Sequence, residues 1–263
     1  MRQPTFFLSH GGGPWPYMDG PYHQAHAKLE AALQALPATL VETPKAILMI
    51  SAHWEEDAFT VMTAPAPGML YDYGGFPPHT YEVVYPAPGD PALAERVFAL
   101  IEAAGLPAAR NAGRGFDHGA FCTLAPMYPE AQIPVVQLSL KRGLDPAEHL
   151  ALGRALSPLR DEGVLILGSG FSFHNMRLYN EGGRAPSAAF DAWLQAALPP
   201  AEGRAERLQA WAQAPAARLA HPREEHLLPL MVAAGAAEGD AGSCNYHETE
   251  FLGGVAASSF RFG

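Results

Sequence analysis

The chain has 263 residues, 48% hydrophobic and 17% charged, which is the composition of a folded globular protein and excludes a disordered or fibrous one. Its formal net charge of −10 and the lack of a basic stripe give no support to nucleic-acid binding. No segment reaches the roughly 18 uninterrupted apolar residues of a membrane helix, and the apolar stretch after Met1 is too short for a signal peptide. Cys122 and Cys244 are far apart and lack a CxxC spacing, which favours two reduced thiols in a cytosolic protein. We therefore expect a cytoplasmic protein without nucleic-acid or membrane partners.

Short apolar runs that predict strands alternate along the chain with patterns that predict helices. The continuous apolar run Ala46–Ala52 is typical of a strand covered on both faces, and Asp145 followed by Pro146 is a favourable helix start. In chain order we predict a strand at Thr5–Ser9, a helix at His23–Leu36, a strand at Ala46–Ala52, a helix at Pro91–Ala104, a strand at Pro134–Leu140, a helix at Pro146–Leu159, a strand at Gly163–Gly168, helices at Ser187–Leu198, Ala205–Leu219 and Pro222–Ala237, and a last strand at Gly254–Phe262.

This alternation predicts an α/β fold with a mainly parallel or mixed central sheet and helices on both faces. The length allows one large domain or two small ones, but no linker or repeat marks a boundary, so we predict a single catalytic domain over residues 1–263. The Pro- and Gly-rich stretch Ala64–Pro78 predicts a long functional loop within that domain.

Four of the 11 histidines occupy comparable positions. His10 and His53 end predicted strands, and His174 follows a third strand after a short loop. Because ligands bind at the carboxyl ends of strands in open α/β sheets, these side chains are expected to face one crevice. His226 is predicted one turn into the last helix, and imidazole is a common ligand of zinc, iron and copper. No HxxxH or HExxH motif joins these residues, so a structural role for each histidine remains open on spacing alone.

Three further histidines have two interpretations each. His118 lies between glycines and follows Asp117, which suits proton transfer near neutral pH, but a turn histidine is the alternative. His23 and His26 are three residues apart on a predicted helix, where a solvated face is favoured over a metal site.

Eight segments follow one another over nearly the whole chain, up to about residue 236, in the order that they have in a known family. They are LSHGGGP (Leu8–Pro14), ISAHWE (Ile50–Glu55), YDYGGFP (Tyr71–Pro77), YPAPGDPALAERV (Tyr85–Val97), GFDHGAF (Gly115–Phe121), MYPEAQIPVVQLSL (Met127–Leu140), LRDEGVLILGSGFSFHNMR (Leu159–Arg177) and HPREEHLLPLMVAAGA (His221–Ala236). In these segments the chain resembles the class III extradiol ring-cleavage dioxygenases, in the DOPA-dioxygenase-like branch.

The resemblance implies roles for five histidines. His10, His53 and His226 match the metal ligands of the family. His174 matches a histidine that lines the same site, either as a further ligand or as an acid/base. His118 matches a second catalytic histidine near the substrate and oxygen.

The chain departs from the family pattern at two places. The glycine-serine-proline usual after the first histidine is replaced by Gly11–Pro14, and the stretch Phe171–Phe173 is bulkier than expected. Both changes are expected to alter the shape of the pocket, and therefore the choice of substrate more than the type of reaction. Glu224 and Glu225 do not match the register of a ligand and are not assigned.

The activity implied by the resemblance is the opening of a catechol ring by O2 outside the two hydroxyls. Ring cleavage by O2 requires a redox-active metal that can transfer an electron, so Fe(II) is the expected cofactor, although Zn²⁺ fits the same ligands. Two alternatives remain: a zinc-dependent hydrolase on the same scaffold, and a non-catalytic metal-binding member of the family. The expected partners are a catechol and O2, and a homo-oligomer is left open.

Overall fold

The computed structural model describes residues 1–263, in which eight strands form one sheet. The strands are β1 (Thr5–Ser9), β2 (Ala46–Glu56), β3 (Phe59–Met62), β4 (Ala108–Asn111), β5 (Val135–Lys141), β6 (Val164–Gly170), β7 (Gly242–Phe251) and β8 (Val255–Phe262). The α-helices are α1 (Gly20–Gln24), α2 (Ala27–Ala35), α3 (Pro91–Ala103), α4 (His118–Met127), α5 (Pro146–Leu156), α6 (Pro158–Asp161), α7 (Glu181–Ala197), α8 (Arg204–Gln209), α9 (Ala217–Ala220) and α10 (Leu228–Ala236).

The central strands of the sheet are parallel. The strand order is β4-β3-β5-β2-β6-β1-β8-β7, and the neighbours among β5, β2, β6 and β1 all pair in parallel. Because β3, β8 and β7 add antiparallel pairs, the sheet is mixed and the predicted α/β fold class is confirmed. Every residue of β1 and β6 is buried, which explains their continuous apolar sequences. None of the helices combines the length and the apolar character needed to span a bilayer.

Helices cover both faces of the sheet, as two neighbouring residues of β6 demonstrate. A Cβ on Gly168 would collide with the carbonyl oxygen of Pro229 in α10. The hydroxyl of Ser169 donates instead to the carbonyl of Gly119 in α4, at 2.6 Å. Since consecutive residues of a strand point to opposite faces, α10 and α4 lie on opposite faces of the sheet.

Most predicted elements are present with boundaries moved by a few residues. The strand Thr5–Ser9 is confirmed without change. The helix predicted at Pro146–Leu159 ends at Leu156, because Pro158 has no N–H to continue its hydrogen bonds. The helix predicted over Ala205–Leu219 is divided into α8 and α9, with a 3₁₀ turn between them.

The helix predicted at His23–Leu36 is interrupted at His26, which lies between α1 and α2. The His26 ring is fully buried and stacks on Trp15, with 5.0 Å between ring centroids. Its Nε2 accepts a hydrogen bond from the N–H of Gly12 at 3.1 Å. The prediction of a solvated face is therefore wrong for His26, since the tertiary contacts of this ring outweigh local helix propensity.

Four elements were missing from the prediction. Strands β3 and β4 have four residues each and are too short for a clear alternating pattern. In β7, polar residues outnumber apolar ones because much of the strand is exposed. Helix α4 contains Gly119 and Pro126, two residues that disfavour helices and obscured its pattern.

Candidate active site

The site lies at the carboxyl ends of β1, β2 and β6, which are neighbours in the sheet. His10 directly follows β1, and its N–H donates to the carbonyl of Gly170 at the end of β6. His53 lies in β2, where the pairing with β5 shifts register between Ile50 and Glu55. Such bulges redirect side chains out of the regular alternation. The structure therefore brings these strand ends together in one crevice, as predicted.

His226 and His118 reach the same place from the helix layers. His226 lies in the turn before α10, not one turn inside a helix as predicted, because α10 begins only at Leu228. Its carbonyl accepts a hydrogen bond from the N–H of Phe171 at 2.9 Å, which fixes this turn to the end of β6. His118 is the first residue of α4, so the turn interpretation is wrong; Asp117 caps that helix by accepting a hydrogen bond from the N–H of Ala120.

Three imidazole nitrogens converge at the centre of the site. The Nε2 atom of His53 lies 3.2 Å from Nε2 of His10 and 3.3 Å from Nε2 of His226. Two nitrogens that bind one ion at about 2.0–2.2 Å, at near-tetrahedral angles, lie about 3.3–3.6 Å apart. The two separations from His53 lie at the short end of this range, and the rings of His10 and His226 are neighbours with 5.2 Å between centroids, so the arrangement fits a shared metal ion.

The opposite ring nitrogens determine which atoms carry protons. Nδ1 of His10 lies 2.7 Å from the carbonyl oxygen of Gly11, and Nδ1 of His226 lies 3.0 Å from Oε1 of Glu225. Both oxygens accept, so each Nδ1 donates and leaves a lone pair on Nε2. Burial, followed by the neighbouring histidines, lowers the pKa of His10, His53 and His226 well below the usual value. Neutral rings with lone pairs facing one another repel unless a cation lies between them, so this donor set fits a metal.

Asp72, in the loop between β3 and α3, joins His118 to this group. Its Oδ1 accepts hydrogen bonds from the N–H and from Nδ1–H of His118, both at 2.9 Å. Its Oδ2 lies 3.4 Å from Nδ1 of His53. Burial alone would raise the pKa of Asp72, but the hydrogen bonds from His118 outweigh it and the pKa is lowered. The carboxylate thus orients both rings at once.

His174 lies against His226 in a stacked arrangement, with 3.3 Å between ring centroids. Its Nδ1 is 3.5 Å from Oε1 of Glu225, the same oxygen that accepts from His226. Although it is not one of the proposed ligands, Glu225 therefore bridges the two rings. The structure brings all five predicted histidines together. Two neighbouring sets of possible metal donors meet here through the contact between His53 and His226: His10 with His53 and His118, and His174 with Glu225 and His226.

A cavity of about 370 Å³ opens from this cluster. His10, His53, His118 and His174 form part of its wall, and the rest consists of glycine, aromatic and aliphatic residues. Tyr73 and Phe76 line the cavity from the loop predicted to be functional. Trp15 and Trp54, two other aromatic residues that lie close in sequence to His10 and His53, are buried in the core.

Asp72 and Glu225 are the site residues that sequence reasoning missed or left unassigned. Asp72 belongs to YDYGGFP, a segment recognised for its family resemblance, so its place in that motif was the available signal. Cys122 is buried without a disulfide partner, and burial raises the pKa of its thiol well above normal, as expected of a structural cysteine.

Comparison with known proteins assigns this arrangement to a family. Residues 4–262 match the model of the catalytic LigB subunit of aromatic ring-opening dioxygenase. The chain is 41% identical to 4,5-DOPA dioxygenase extradiol of Beta vulgaris, covering 98% of this chain and 96% of that protein. It is 36% identical to the protein of the same name from Escherichia coli K12 (90% and 86% covered), and 39% identical to dioxygenase tasH of Hapsidospora irregularis (95% and 82% covered).

A solved structure extends the likeness to three dimensions. The crystal structure of an uncharacterized protein, JW3007 from Escherichia coli K12, superposes with a TM-score of 0.79 at 32% identity, and all of both chains is covered. This chain therefore belongs to the LigB family of aromatic ring-opening dioxygenases and is an extradiol ring-cleaving dioxygenase.

Proposed function

We propose that this enzyme opens the ring of a DOPA-like catechol with O2, using a metal ion held by His10, His53 and His226. The observation that supports the proposal best is the convergence of their three Nε2 atoms, with separations of 3.2 and 3.3 Å. The names of the relatives, most of them DOPA dioxygenases, supply the substrate class.

The proposed ion is Fe(II). Iron supplies the one-electron chemistry that allows O2 to react with an aromatic ring. Zn²⁺ is bound by the same imidazoles and stands above Fe(II) in the usual order of affinity, so an isolated sample can contain zinc without oxygenase activity. Zinc would support hydrolysis through bound hydroxide, but the comparisons do not favour a hydrolase or a non-catalytic protein.

The chain supplies two proposed proton-transfer groups, His118 and His174. Because Nδ1 of His118 is hydrogen-bonded to Asp72, its Nε2 is the atom available to accept a proton from a catechol hydroxyl. His174 lines the same cavity and is either the second acid/base or a fourth ligand. Its stacking on His226 and its contact with Glu225 are compatible with both roles.

Metal analysis of protein prepared without oxygen, followed by oxygen uptake with a panel of catechols, tests the proposal. The iron-loaded enzyme should consume O2 and form yellow ring-opened products, whereas the zinc-loaded enzyme should not. Hydrolysis by the zinc form without oxygen uptake by the iron form would refute it.

Substitution of the two histidines tests their roles. His118→Ala and His174→Ala should each lower turnover by roughly 10²–10⁴-fold, and at least one should keep its metal. His79→Ala, at an exposed histidine outside the cavity, is the matched control and should leave turnover unchanged. Normal turnover in both cavity variants would show that the acid/base assignment is wrong.

We also propose that residues 1–263 act as one catalytic domain in the cytoplasm, without nucleic-acid or membrane partners. The single sheet that contains strands from both ends of the chain supports the first part. The remaining parts, and any homo-oligomer, rest on the sequence; cell fractionation and light scattering of the purified protein would test them.

A further inference from the structure

The wall of the active-site cavity includes four histidines but no side chain that carries a permanent charge. None of its 14 lining residues is Asp, Glu, Lys or Arg. Beyond the histidine cluster the wall is formed by glycines and by aromatic and aliphatic side chains, among them Phe76, Phe171, Tyr179 and Leu252. A ligand that carries a carboxylate or an ammonium group would therefore find no opposite charge here.

The three tyrosines of the wall do not offer a free proton either. The hydroxyl of Tyr22 donates to the carbonyl of Gly12 at 3.0 Å, and that of Tyr179 donates to the carbonyl of Phe173 at 2.8 Å. The hydroxyl of Tyr73 donates to a backbone carbonyl as well, that of Thr80. A phenol has one proton to donate, so none of the three remains for a ligand's carboxylate.

The cavity has one closed end and one end that opens to solvent. His10 and Phe171, at its closed end, are each only 2% exposed, whereas Met176, at its mouth, is 73% exposed. A catechol with its hydroxyls at the histidine cluster would place a substituent on the far side of the ring along the apolar wall towards Met176. Burying a charged group on such a wall without a partner is unfavourable, whereas burying methylene groups is favourable.

From this wall we propose that the enzyme selects catechols with an uncharged, apolar substituent over those with a carboxylate or amino-acid side chain. The inference rests on the proposed function for the position of the diol. The substrate is then DOPA-like in its ring but not in its charged side chain.

A candidate anchor for a carboxylate lies outside the cavity. Arg177 is exposed in a separate surface depression that shares only His174 and Met176 with the cavity. Arg223, in the same depression, is paired with Glu55. Arg177 is the side chain that would hold an anionic substituent if the proposal were wrong, so a variant at this position belongs in the test.

Binding to the zinc-loaded enzyme, which needs no turnover, separates the possibilities. Calorimetry would compare 4-propylcatechol, 3-(3,4-dihydroxyphenyl)propionate and L-DOPA, which share ring and diol, so that the common contribution of the diol cancels. We expect propylcatechol to bind at least about tenfold more tightly than either charged ligand. Affinity should also rise about threefold to fourfold per methylene from 4-methylcatechol to 4-propylcatechol.

Equal or tighter binding of the propionate would overturn the proposal. If Arg177→Gln then weakened the propionate alone, Arg177 would be the anchor. If it did not, the backbone N–H groups of Gly11 and Gly13 would be the remaining backbone donors, since that of Gly12 donates to His26. Failure of the proposed function has a different result: no catechol is opened by the iron enzyme, yet the binding preference persists.

A substitution at the mouth tests the same idea in the opposite direction. Met176→Arg adds the missing cation at an exposed position, and Met176→Gln is the matched neutral control. Met176→Arg should shift the ratio of the two dissociation constants about threefold towards the propionate, and Met176→Gln should not. An unchanged ratio in Met176→Arg would show that the substituent does not extend to the mouth and would overturn the proposed path.

Discussion

Gly170→Ala should have two effects that can be measured separately, one on metal binding and one on the stability of the fold. A Cβ at Gly170, the last residue of β6, would lie well inside 3.0 Å of the carbonyl oxygen of His226, a separation that real Cβ atoms essentially never show. Gly170 does not have a positive φ, so the added methyl acts through steric contacts, first with this oxygen and then with the Phe7 ring, 3.0 Å away. The backbone of His226 must then move by a distance on the order of 1 Å. A displacement of that size in an active site is enough to lower the catalytic rate about 10²-fold.

The expected effect has two parts. Overpacking should lower the free energy of unfolding of the metal-free protein by about 1–3 kcal/mol. The displaced imidazole of His226 should also weaken metal binding, by about tenfold or more, because Nε2 of His226 then no longer lies 3.3 Å from Nε2 of His53. Denaturant unfolding with a chelator present measures the first part, and competition with a chromophoric chelator measures the second.

Gly153→Ala is the matched control. A Cβ at Gly153 of α5 would collide in the same way with the carbonyl oxygen of Val232 in α10, away from the histidines. It should lower stability to a similar extent and leave metal affinity unchanged. If Gly170→Ala kept its metal affinity, or if Gly153→Ala lost as much, the link between the end of β6 and the metal site would be wrong.

Three further predictions concern single groups. Asp72→Asn keeps an acceptor for His118 but removes its charge, so turnover should fall by about 10–100-fold with the fold intact, as steady-state kinetics and circular dichroism would establish. Burial lowers the pKa of His149 from 6.5 to about 4, so as the pH falls below 6.5 the unfolded chain takes up a proton before the folded protein does. The free energy of unfolding should therefore decrease as the pH falls from 6.5 to 4, by up to about 1.4 kcal/mol per pH unit from this group. Denaturant titrations of His149→Leu should lack this contribution to the slope. Metal at about 100 times its Kd should raise the free energy of unfolding by about 2.7 kcal/mol, and a melting temperature that a chelator leaves unchanged would contradict the proposed site.

The local sequence determined the central strands and several helices. β1 was predicted without error, and β5 and β6 to within two residues, because strands buried on both faces are continuously apolar. Helix α3 was predicted to within one residue, since Asp90 and Pro91 begin it through a side-chain cap. The five candidate histidines were also identified from the sequence, by their places after strands and by the family segments that contain them.

Only the tertiary structure decided which side chains meet. The contact between His53 and His226 joins residues 173 positions apart, and that between Asp72 and His118 joins residues 46 positions apart. Periodicity reports the conformational preference of neighbouring residues, whereas such contacts depend on strand order, on the bulge in β2 and on the turn before α10. For the same reason the burial of His26 and the uncharged cavity wall were not visible in the sequence, because each arises from segments that become neighbours only when the sheet and its two helix layers assemble.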